Sequence, residues 1–169
     1  MSKLFTILFL SISSICVAEE IPVRAQVLFS PLGGIEKAII QEIDNAKSRI
    51  FVQAFIFRQP SITEALIRAH KNGKEVQVIL DTRAKTKDLK ETQKLVDNGI
   101  PTRIDNLHAT AHNKIMIIDH DTVLTGSYNF TRKAENKNAE NFLILRSSEL
   151  TQRYLNNWMV HSEHSETLN

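Results

Sequence analysis

The chain has 169 residues, of which 42% are hydrophobic and 24% charged, and Lys and Arg outnumber Asp and Glu by 21 to 19. One domain accounts for a chain of this length, and the composition excludes intrinsic disorder and a collagen-like fibre. The net charge of +2 is small, so charge by itself gives no indication of a nucleic-acid partner.

The first 18 residues, 1–18, are predicted to be a secretory signal peptide. Lys3 supplies a positive start, the uncharged stretch Leu4–Val17 follows, and the small residue Ala18 closes it. This stretch is shorter than the about 20 apolar residues of a transmembrane helix, although an uncleaved N-terminal anchor is the alternative. Cleavage would remove the only cysteine and leave a mature domain, 19–169, without disulfides. We expect an exported protein, periplasmic or secreted from a bacterium, with no stable membrane association after cleavage.

Strands and helices alternate through the first half of the mature domain, according to the period of the apolar residues. The predicted strands are Ala25–Phe29, Ile50–Phe57, Glu75–Leu80 and Ile100–Ile104. The predicted helices run from Ile35 to Lys47, from Ser61 to the stop at Gly73, and from Thr86 to Asn98 before Gly99. Ser61 and Glu64 have the spacing of a capping box.

The second half begins with a predicted hairpin. His112–Asp119 and Thr122–Thr125 are its strands, joined by a tight turn at Asp119–Asp121. Another strand, Glu140–Leu145, and a closing helix from Ser147 to about His161 follow. Because the hairpin is antiparallel while alternating strands and helices favour parallel pairs, we predict an α/β fold with a mixed β-sheet flanked by helices on both faces.

The predicted hairpin carries the residues that indicate chemistry. Residues two apart on a strand share a face, so His112 and Lys114 project side by side. Gly126 permits a sharp turn, after which Ser127 and Asn129 can fold back towards them. A histidine can act as a nucleophile or general acid near neutral pH, and a lysine and an amide can hold phosphate oxygens. Since no carboxylate cluster accompanies this group, a Mg²⁺ or Ca²⁺ site is not indicated, and no cofactor is predicted.

A zinc site is the competing interpretation of the histidines. His108, His112 and His120 are close in sequence, but eight residues and a turn separate the last two, which is not a common spacing of zinc ligands. The other three histidines lie in helical or terminal contexts and are predicted to be surface residues: His70, His161 and His164. Three large aromatic residues are predicted to belong to the core rather than to a base-stacking surface: Phe55, Phe57 and Trp158.

The hairpin region resembles the signature of the phospholipase D superfamily, H-x-K-x4-D-x6-G-S-x-N. Every spacing is met, by His112, Lys114, Asp119, Gly126, Ser127 and Asn129. Average residue usage makes such a match improbable, on the order of 10⁻⁸ per starting position. The resemblance covers nearly the whole mature domain. Within the superfamily the chain resembles the small, exported bacterial nucleases, for example in the segments Val27–Pro31, Ala54–Phe57 and Asn136–Asn141.

The resemblance implies a metal-free phosphodiesterase that forms a covalent phosphohistidine. Family enzymes use two copies of the signature around one site, and this chain has one, so the resemblance implies a homodimer with a shared site. His112 of one subunit would attack phosphorus, and His112 of the other would protonate the leaving oxygen. Lys114 and Asn129 would hold the phosphate, supported by Ser127.

Two carboxylates complete the set that the resemblance implies. Glu140 matches a family carboxylate that hydrogen-bonds and orients the histidine. Asp119 is expected to lie off the phosphate and to brace the hairpin turn. Without the resemblance, an exposed carboxylate at the start of a strand would be an equally good interpretation of Glu140.

Nucleic acid is the substrate that the local charge favours, although ordinary surface charge is an alternative interpretation. Seven cations occupy loops expected at one edge of the sheet, where they could contact backbone phosphates: Arg58, Arg83, Lys85, Lys87, Arg132, Lys133 and Lys137. No base-reading motif is present, so we predict a sequence-nonspecific endonuclease of DNA, with RNA as a further substrate. The alternatives are a phospholipase D-type lipid phosphodiesterase and a non-catalytic nucleic-acid-binding protein.

Overall fold

A computed structural model describes residues 20–168 of the chain, and the predicted signal peptide, 1–18, lies outside them. The strands are β1 Arg24–Ser30, β2 Arg49–Ala54, β3 Glu75–Asp81, β4 Thr102–Asp105, β5 Lys114–Ile118, β6 Thr122–Gly126, β7 Glu140–Arg146 and β8 Glu166–Leu168. The helices are α1 Ile35–Asn45, α2 Pro60–Lys71, α3 Leu89–Asp97, α4 Arg132–Asn136 and α5 Ser148–His164. No helix among these residues is long and apolar enough to cross a bilayer.

All the strands belong to one mixed sheet in the order β1-β7-β6-β5-β2-β3-β4-β8. β3 pairs parallel with β2 and with β4, and the other neighbours are antiparallel. The apolar sides of α1, α2 and α3 join the larger core on one face, and α5 contributes to a second core on the other. The predicted fold class, a mixed sheet with helices on both faces, is confirmed.

The alternation of side chains along β5 divides the two cores. Met116 and Ile118 point into the larger core, whereas Ile115 and Ile117 point into the smaller one, beneath α5. Trp158 of α5 belongs to that smaller core, where its ring stacks on Phe51 at 4.7 Å and its Nε1 donates to the Val52 carbonyl at 3.0 Å. Both faces of β5 are therefore covered, and the strand lies in the interior of the sheet.

Two of the predicted helix starts are wrong. α2 begins at Pro60, whose fixed φ suits a first helical position, and the Ser61 hydroxyl donates to Glu36 instead of capping the helix. The expected capping box is therefore not formed. Instead of a helix from Thr86, a short 3-10 helix spans Thr82–Lys85, and α3 begins only at Leu89.

Three further differences concern the strands and a short helix. β2 ends at Ala54, before the predicted end at Phe57, because the chain then leaves the ladder and Phe57 bridges to Phe130 instead. Two short elements were not predicted, α4 and β8, and both are too short to show a clear apolar period.

Asp119 holds the β5–β6 turn against the start of β2. Its backbone has a φ of 54°, and its carboxylate accepts hydrogen bonds from the amides of Lys47, Ser48 and Arg49 at 2.8, 2.7 and 3.2 Å. Burial acts to raise the pKa of the Asp119 carboxyl, but these amide hydrogen bonds outweigh it and hold the pKa below the ordinary 3.8. Asp119 therefore fixes which residues of β5 and β2 lie opposite each other.

We expect Asp119→Ala to lower the free energy of unfolding by about 2 kcal/mol, because the amides lose charged acceptors. Asp119→Asn, which tolerates a positive φ and keeps one acceptor oxygen, should lose less. The pKa of Asp119 is lower in the folded protein than in the unfolded chain. The ionised carboxylate therefore stabilises the fold fully at pH values above the ordinary pKa of 3.8, and this stabilisation is lost as the pH falls through the folded-state pKa. Urea unfolding at about pH 7 and about pH 3 measures both effects. The gap between wild type and Asp119→Asn should narrow at the lower pH, and a constant gap would contradict the assignment.

Candidate active site

The residues of the signature other than Asp119 gather where β5 begins and β6 ends, at the opposite end of the β5–β6 hairpin from Asp119. Lys114, the first residue of β5, pairs with Ala54 at the end of β2. Beyond the ladder, the Phe55 amide donates to the Asn113 carbonyl at 2.8 Å, which extends the contact towards His112. Pairing of β2 with β5 therefore places the histidine and lysine side chains beside the segment that follows β2.

His112 and Lys114 form a contact pair. The exposed His112 lies next to Lys114, whose side chain is only 8% exposed. The Lys114 ammonium donates to the His112 carbonyl at 2.8 Å and lies 3.3 Å from Nδ1 of the ring. Burial lowers the pKa of Lys114, and the charge of Glu140 partly opposes this. The pair offers a reactive imidazole together with a cation that is poorly solvated by water.

Phe55 is buried, as predicted for a core residue, and its ring also forms the floor of this pair. Its ring lies 4.3 Å from the His112 ring, 4.9 Å from the Lys114 Nζ and 4.3 Å from the Arg83 guanidinium carbon. Cations favour the face of an aromatic ring, so Phe55 links the two of them to the histidine. Phe57, by contrast, is buried in the core as predicted.

Asp81 is a positioning residue that the sequence did not reveal. It is the last residue of β3 and is almost fully buried. Its carboxylate accepts hydrogen bonds from the Arg83 amide at 3.0 Å and from the Ala111 amide at 2.9 Å. It thus holds the residue that precedes His112. A carboxylate that ends a buried apolar strand was the available signal, because such a group needs a nearby donor.

Gly126 brings the other half of the site into position. A Cβ at this residue would lie 2.3 Å from the Asn141 carbonyl oxygen, so only glycine permits this approach of β6 to β7. Ser127 then donates its amide to Asn141 at 3.0 Å and its hydroxyl to Glu140 at 2.6 Å. Glu140 also accepts from the Asn138 side chain at 2.8 Å.

The Glu140 carboxylate therefore does not have the hydrogen bond that the resemblance implied. Within residues 20–168 its partners are Ser127 and Asn138, and no hydrogen bond joins it to His112. Its oxygens are taken up by these two donors at the start of β7. Glu140 instead acts on Lys114 through its charge and braces the Ser127 turn.

Asn129 lies where the site meets a positively charged cavity. Its side-chain oxygen is buried and accepts no hydrogen bond from the described residues, so the amide group is available to a ligand. A cavity of about 400 Å³ begins here and is lined by Arg58, Arg132, Lys133 and Asn138 among others. His112 and Lys114 do not line this cavity, which belongs to the site through Asn129. The larger cavities, of about 500 and 490 Å³, are lined by none of His112, Lys114 and Asn129.

The structure brings some of the seven predicted cations to the site and not others. Arg58, Arg132 and Lys133 line the cavity beside Asn129, and Arg83 lies over Phe55. Arg58 also pairs with the buried Asp88. Lys85 points elsewhere, because it forms a 2.6 Å ion pair with Glu166 of the edge strand β8. Lys87 and Lys137 are exposed.

The histidine positions agree neither with a zinc site of His108, His112 and His120 nor with surface positions for His161 and His164. His108 does not join His112 and His120, since His120 contacts Arg49 at the far end of the hairpin. The prediction that His161 and His164 are surface residues is wrong. Their side chains are 14% and 22% exposed, and both approach the buried Asp105 together with His108.

Comparison with known proteins agrees with the geometry. The PLD-like domain family described as cardiolipin synthase matches residues 39–159. The chain is 36% identical over 143 residues to a phospholipase D of Rickettsia felis, covering 85% of this chain and 72% of that protein. It is 31% identical over 110 residues to the mitochondrial cardiolipin hydrolase of Mus musculus, covering 65% and 50% of the two chains.

Solved structures show the same fold. Nuc from Salmonella typhimurium, a phospholipase D family member, superposes with a TM-score of 0.82 at 32% identity, covering 88% of this chain and 99% of that one. NucT from Helicobacter pylori superposes with a TM-score of 0.76 at 18% identity, covering 87% of this chain and 100% of that one, which is a likeness of fold.

Burial of Lys114 implies that it serves function at the expense of stability. Because its pKa is lowered, the charged lysine destabilises the fold at pH values below the folded-state pKa, and the penalty is relieved as pH rises through it. We expect Lys114→Met to raise the melting temperature by about 3 °C at neutral pH and to reduce phosphodiester hydrolysis about 10³-fold. Thermal melts and hydrolysis of bis-p-nitrophenyl phosphate measure the two effects. Lys90→Met, at an exposed lysine of α3, should change neither, and a destabilised, active Lys114→Met would refute the role.

Proposed function

The chain belongs to the phospholipase D superfamily and is a phosphodiesterase, and we propose that it is a sequence-nonspecific endonuclease acting through a phosphohistidine. One observation carries the proposal: exposed His112 sits against the buried Lys114, beside a cavity lined by three cations. DNA is the proposed substrate, with RNA as a second one. The apolar stretch at residues 4–17 supports export as part of the same proposal.

The chemistry proceeds in two displacements. In the first, the His112 imidazole attacks phosphorus, so a P–N bond forms and the P–O bond to the leaving nucleotide breaks. The second His112 of a dimer donates the proton that the leaving oxygen takes up. In the second, that same histidine removes a proton from water, whose oxygen attacks phosphorus and releases the first His112. Lys114 and Asn129 hold the nonbridging oxygens, on which charge builds in both steps.

A second copy of the chain is the proposed source of the second histidine. β1 is an edge strand whose Val27 and Phe29 side chains are 55% and 61% exposed. Phe29 pairs with Asn141, adjacent to Glu140, so this apolar strand borders the candidate site. α5 covers the sheet around Phe51 and leaves β1 uncovered. A two-fold dimer would cover β1 and bring two sites together, because an isologous interface places identical residues opposite each other.

Local charge favours nucleic acid over lipid. Arg58, Arg132 and Lys133 line the cavity next to Asn129, and a two-fold axis would repeat them on the partner. Such a row of cations suits a chain of phosphates better than a single headgroup. The small net charge of +2 fits an enzyme that must release its product. Lipid phosphodiester hydrolysis is the second candidate, because curated relatives in Rickettsia carry the name phospholipase D.

We expect the purified protein to cleave plasmid, single-stranded DNA and RNA in the presence of EDTA, and to leave phosphatidylcholine and cardiolipin vesicles intact. Cleavage should disappear in His112→Ala, because the nucleophile is lost, and should persist in His120→Ala, whose histidine lies at the far end of the hairpin. Gel assays and lipid mass spectrometry give the readouts, and rapid quenching should trap an acid-labile phosphoprotein.

The outcomes separate the candidates. Turnover of lipid without cleavage of nucleic acid would establish the second candidate. Binding of nucleic acid with no turnover of any substrate would indicate a non-catalytic protein. Loss of cleavage in EDTA at a temperature where circular dichroism shows a folded protein would contradict the metal-free mechanism.

The shared site predicts that one intact histidine is insufficient. Differently tagged wild-type and His112→Ala chains can be co-expressed and the heterodimer isolated by its two tags. We expect it to be nearly inactive, because each of the two steps needs both histidines. Two independent sites would instead leave about half the activity of the wild-type dimer.

A substitution on the exposed strand β1 tests where the dimer interface lies. Phe29→Lys should shift the protein towards monomer in analytical ultracentrifugation and lower activity with it, whereas Leu89→Lys, at another exposed apolar residue, should do neither. A Phe29→Lys protein that remains dimeric would place the interface elsewhere. A fully active monomer would refute the shared site.

A further inference from the structure

Four side chains outside the active site converge where the C-terminal helix meets the edge of the sheet. Asp105 is the last residue of β4, and His108 lies three residues later in the loop. His161 and His164 lie in the last turn of α5, three residues apart and therefore on one side of the helix. Residues more than 50 positions apart in the sequence are thus brought together by the tertiary structure.

The carboxylate of Asp105 lies at the centre of this cluster. His161 Nδ1 is 2.7 Å from Oδ2, His108 Nδ1 is 3.0 Å from Oδ1, and His164 Nε2 is 3.3 Å from Oδ1. The His108 ring lies 4.9 Å from that of His161 and 5.3 Å from that of His164, and the latter two rings are also 5.3 Å apart. One carboxylate oxygen and three imidazole nitrogens can therefore face one point.

The spacing of these four atoms suits a tetrahedral metal ion. The candidate ligand atoms all lie within 4.8 Å of one another. Zinc bonds of about 2.0–2.1 Å to nitrogen or oxygen place the ligands of a tetrahedron about 3.4 Å apart. The three approaches to Asp105, of 2.7, 3.0 and 3.3 Å, are all slightly shorter than that separation. Small adjustments of the His108 loop and the helix end would bring the ligand atoms to it.

Hydrogen bonding accounts for only part of the cluster. His108 and His161 both hydrogen-bond to Asp105. Nε2 of His164 is buried and makes no hydrogen bond within the described residues, although it points at the same carboxylate. A buried polar atom that makes no hydrogen bond is costly. A metal ion would give this nitrogen a coordination bond and would replace the other two hydrogen bonds by coordination bonds.

Hydrogen bonds from backbone amides also orient the Asp105 carboxylate, as is usual for a metal ligand. Asp105 is completely buried, and its Oδ1 accepts hydrogen bonds from the amides of Leu107 and His108 at 3.3 and 3.4 Å. Such outer contacts orient a ligand before the metal binds. A fixed carboxylate with three imidazoles is a donor set that suits zinc, whereas magnesium and calcium prefer all-oxygen sites.

We propose that Asp105, His108, His161 and His164 form a structural zinc site. With four protein ligands the coordination shell is closed, which is the arrangement of structural rather than catalytic zinc. The ion would fasten the end of α5 and the following edge strand β8 to β4. It would also fix the start of the loop that leads from Asp105 to His112. The site takes no part in phosphodiester cleavage, which needs no metal in the proposed mechanism.

The test uses the full mature chain, purified without a histidine tag. Elemental analysis and native mass spectrometry should find about one zinc per chain, and Co²⁺ substitution should give the visible absorption of a tetrahedral site. Removal of zinc with a chelator should lower the melting temperature by about 5–10 °C relative to protein in zinc at about a hundredfold the dissociation constant. His164→Gln should abolish the zinc-dependent shift while changing the metal-free melting temperature little, because His164 Nε2 makes no hydrogen bond there.

One control variant and one alternative ligand variant accompany this test. His120→Gln, at an exposed histidine far from the cluster, should keep both the bound zinc and the thermal shift. If His164→Gln fails to fold, His108→Gln in the exposed loop provides the same comparison. The proposal is overturned if the chain purifies and titrates without stoichiometric zinc, or if the zinc-dependent shift is the same in the ligand variants as in wild type. Stoichiometric nickel or copper in place of zinc in the protein as purified from zinc-containing medium would also overturn the assignment to zinc.

Discussion

The register of β5 against β2 is the constraint on which the site depends, and Asp119 holds it. The carboxylate gathers three amides at the start of β2, and the Asp119 amide donates in return to the Arg49 carbonyl at 3.0 Å. A slip of one residue would turn every side chain of β5 to the opposite face. Lys114 would then exchange places with Ile115, and the site at the other end of the hairpin would lose its cation.

At that other end, function takes precedence over stability. A lysine and an aspartate are buried there, and the buried ring of Phe55 contacts His112 and two cations. Asp81 stabilises this arrangement, because its carboxylate accepts hydrogen bonds from the amide of Arg83, just after β3, and from the amide of Ala111, just before His112. The result is an imidazole that is exposed to substrate while its backbone is tightly held, which is the combination that a preorganised nucleophile requires.

The positions of the charged side chains matter more for this protein than its net charge. The chain carries a net charge of only +2, yet Arg58, Arg132 and Lys133 line one cavity beside Asn129. Arg58 itself pairs with the buried Asp88, and Lys85, away from the cavity, pairs with Glu166 on the edge strand. Small overall charge and a locally positive site are therefore compatible, and the same edge strand adjoins the cluster of Asp105 with three histidines.

The sequence by itself determined the family, the fold class and the central hairpin, because these follow from local information. The continuous apolar run Ile115–Ile118 indicated a strand that is covered on both faces. The spacing of His112, Lys114 and Asn129 is likewise a property of the sequence and can be read without the fold. Prediction failed where the deciding partner is remote. The Ser61 hydroxyl donates to Glu36 of another helix instead of capping α2, and the Glu140 carboxylate accepts from Ser127 of the preceding strand turn.

Only the tertiary structure could assemble Phe55 with Arg83, Asp81 with Ala111, or Asp105 with His161. Each pair joins side chains or amides from different elements. The H-x-x-H spacing of His161 and His164 was visible in the sequence, but nothing local showed which carboxylate the helix end would meet. Local periodicity specifies on which face of a helix or strand a residue lies. The residues that this face contacts are decided by the packing of the sheet and helices, because contacts across the fold depend on all the elements at once.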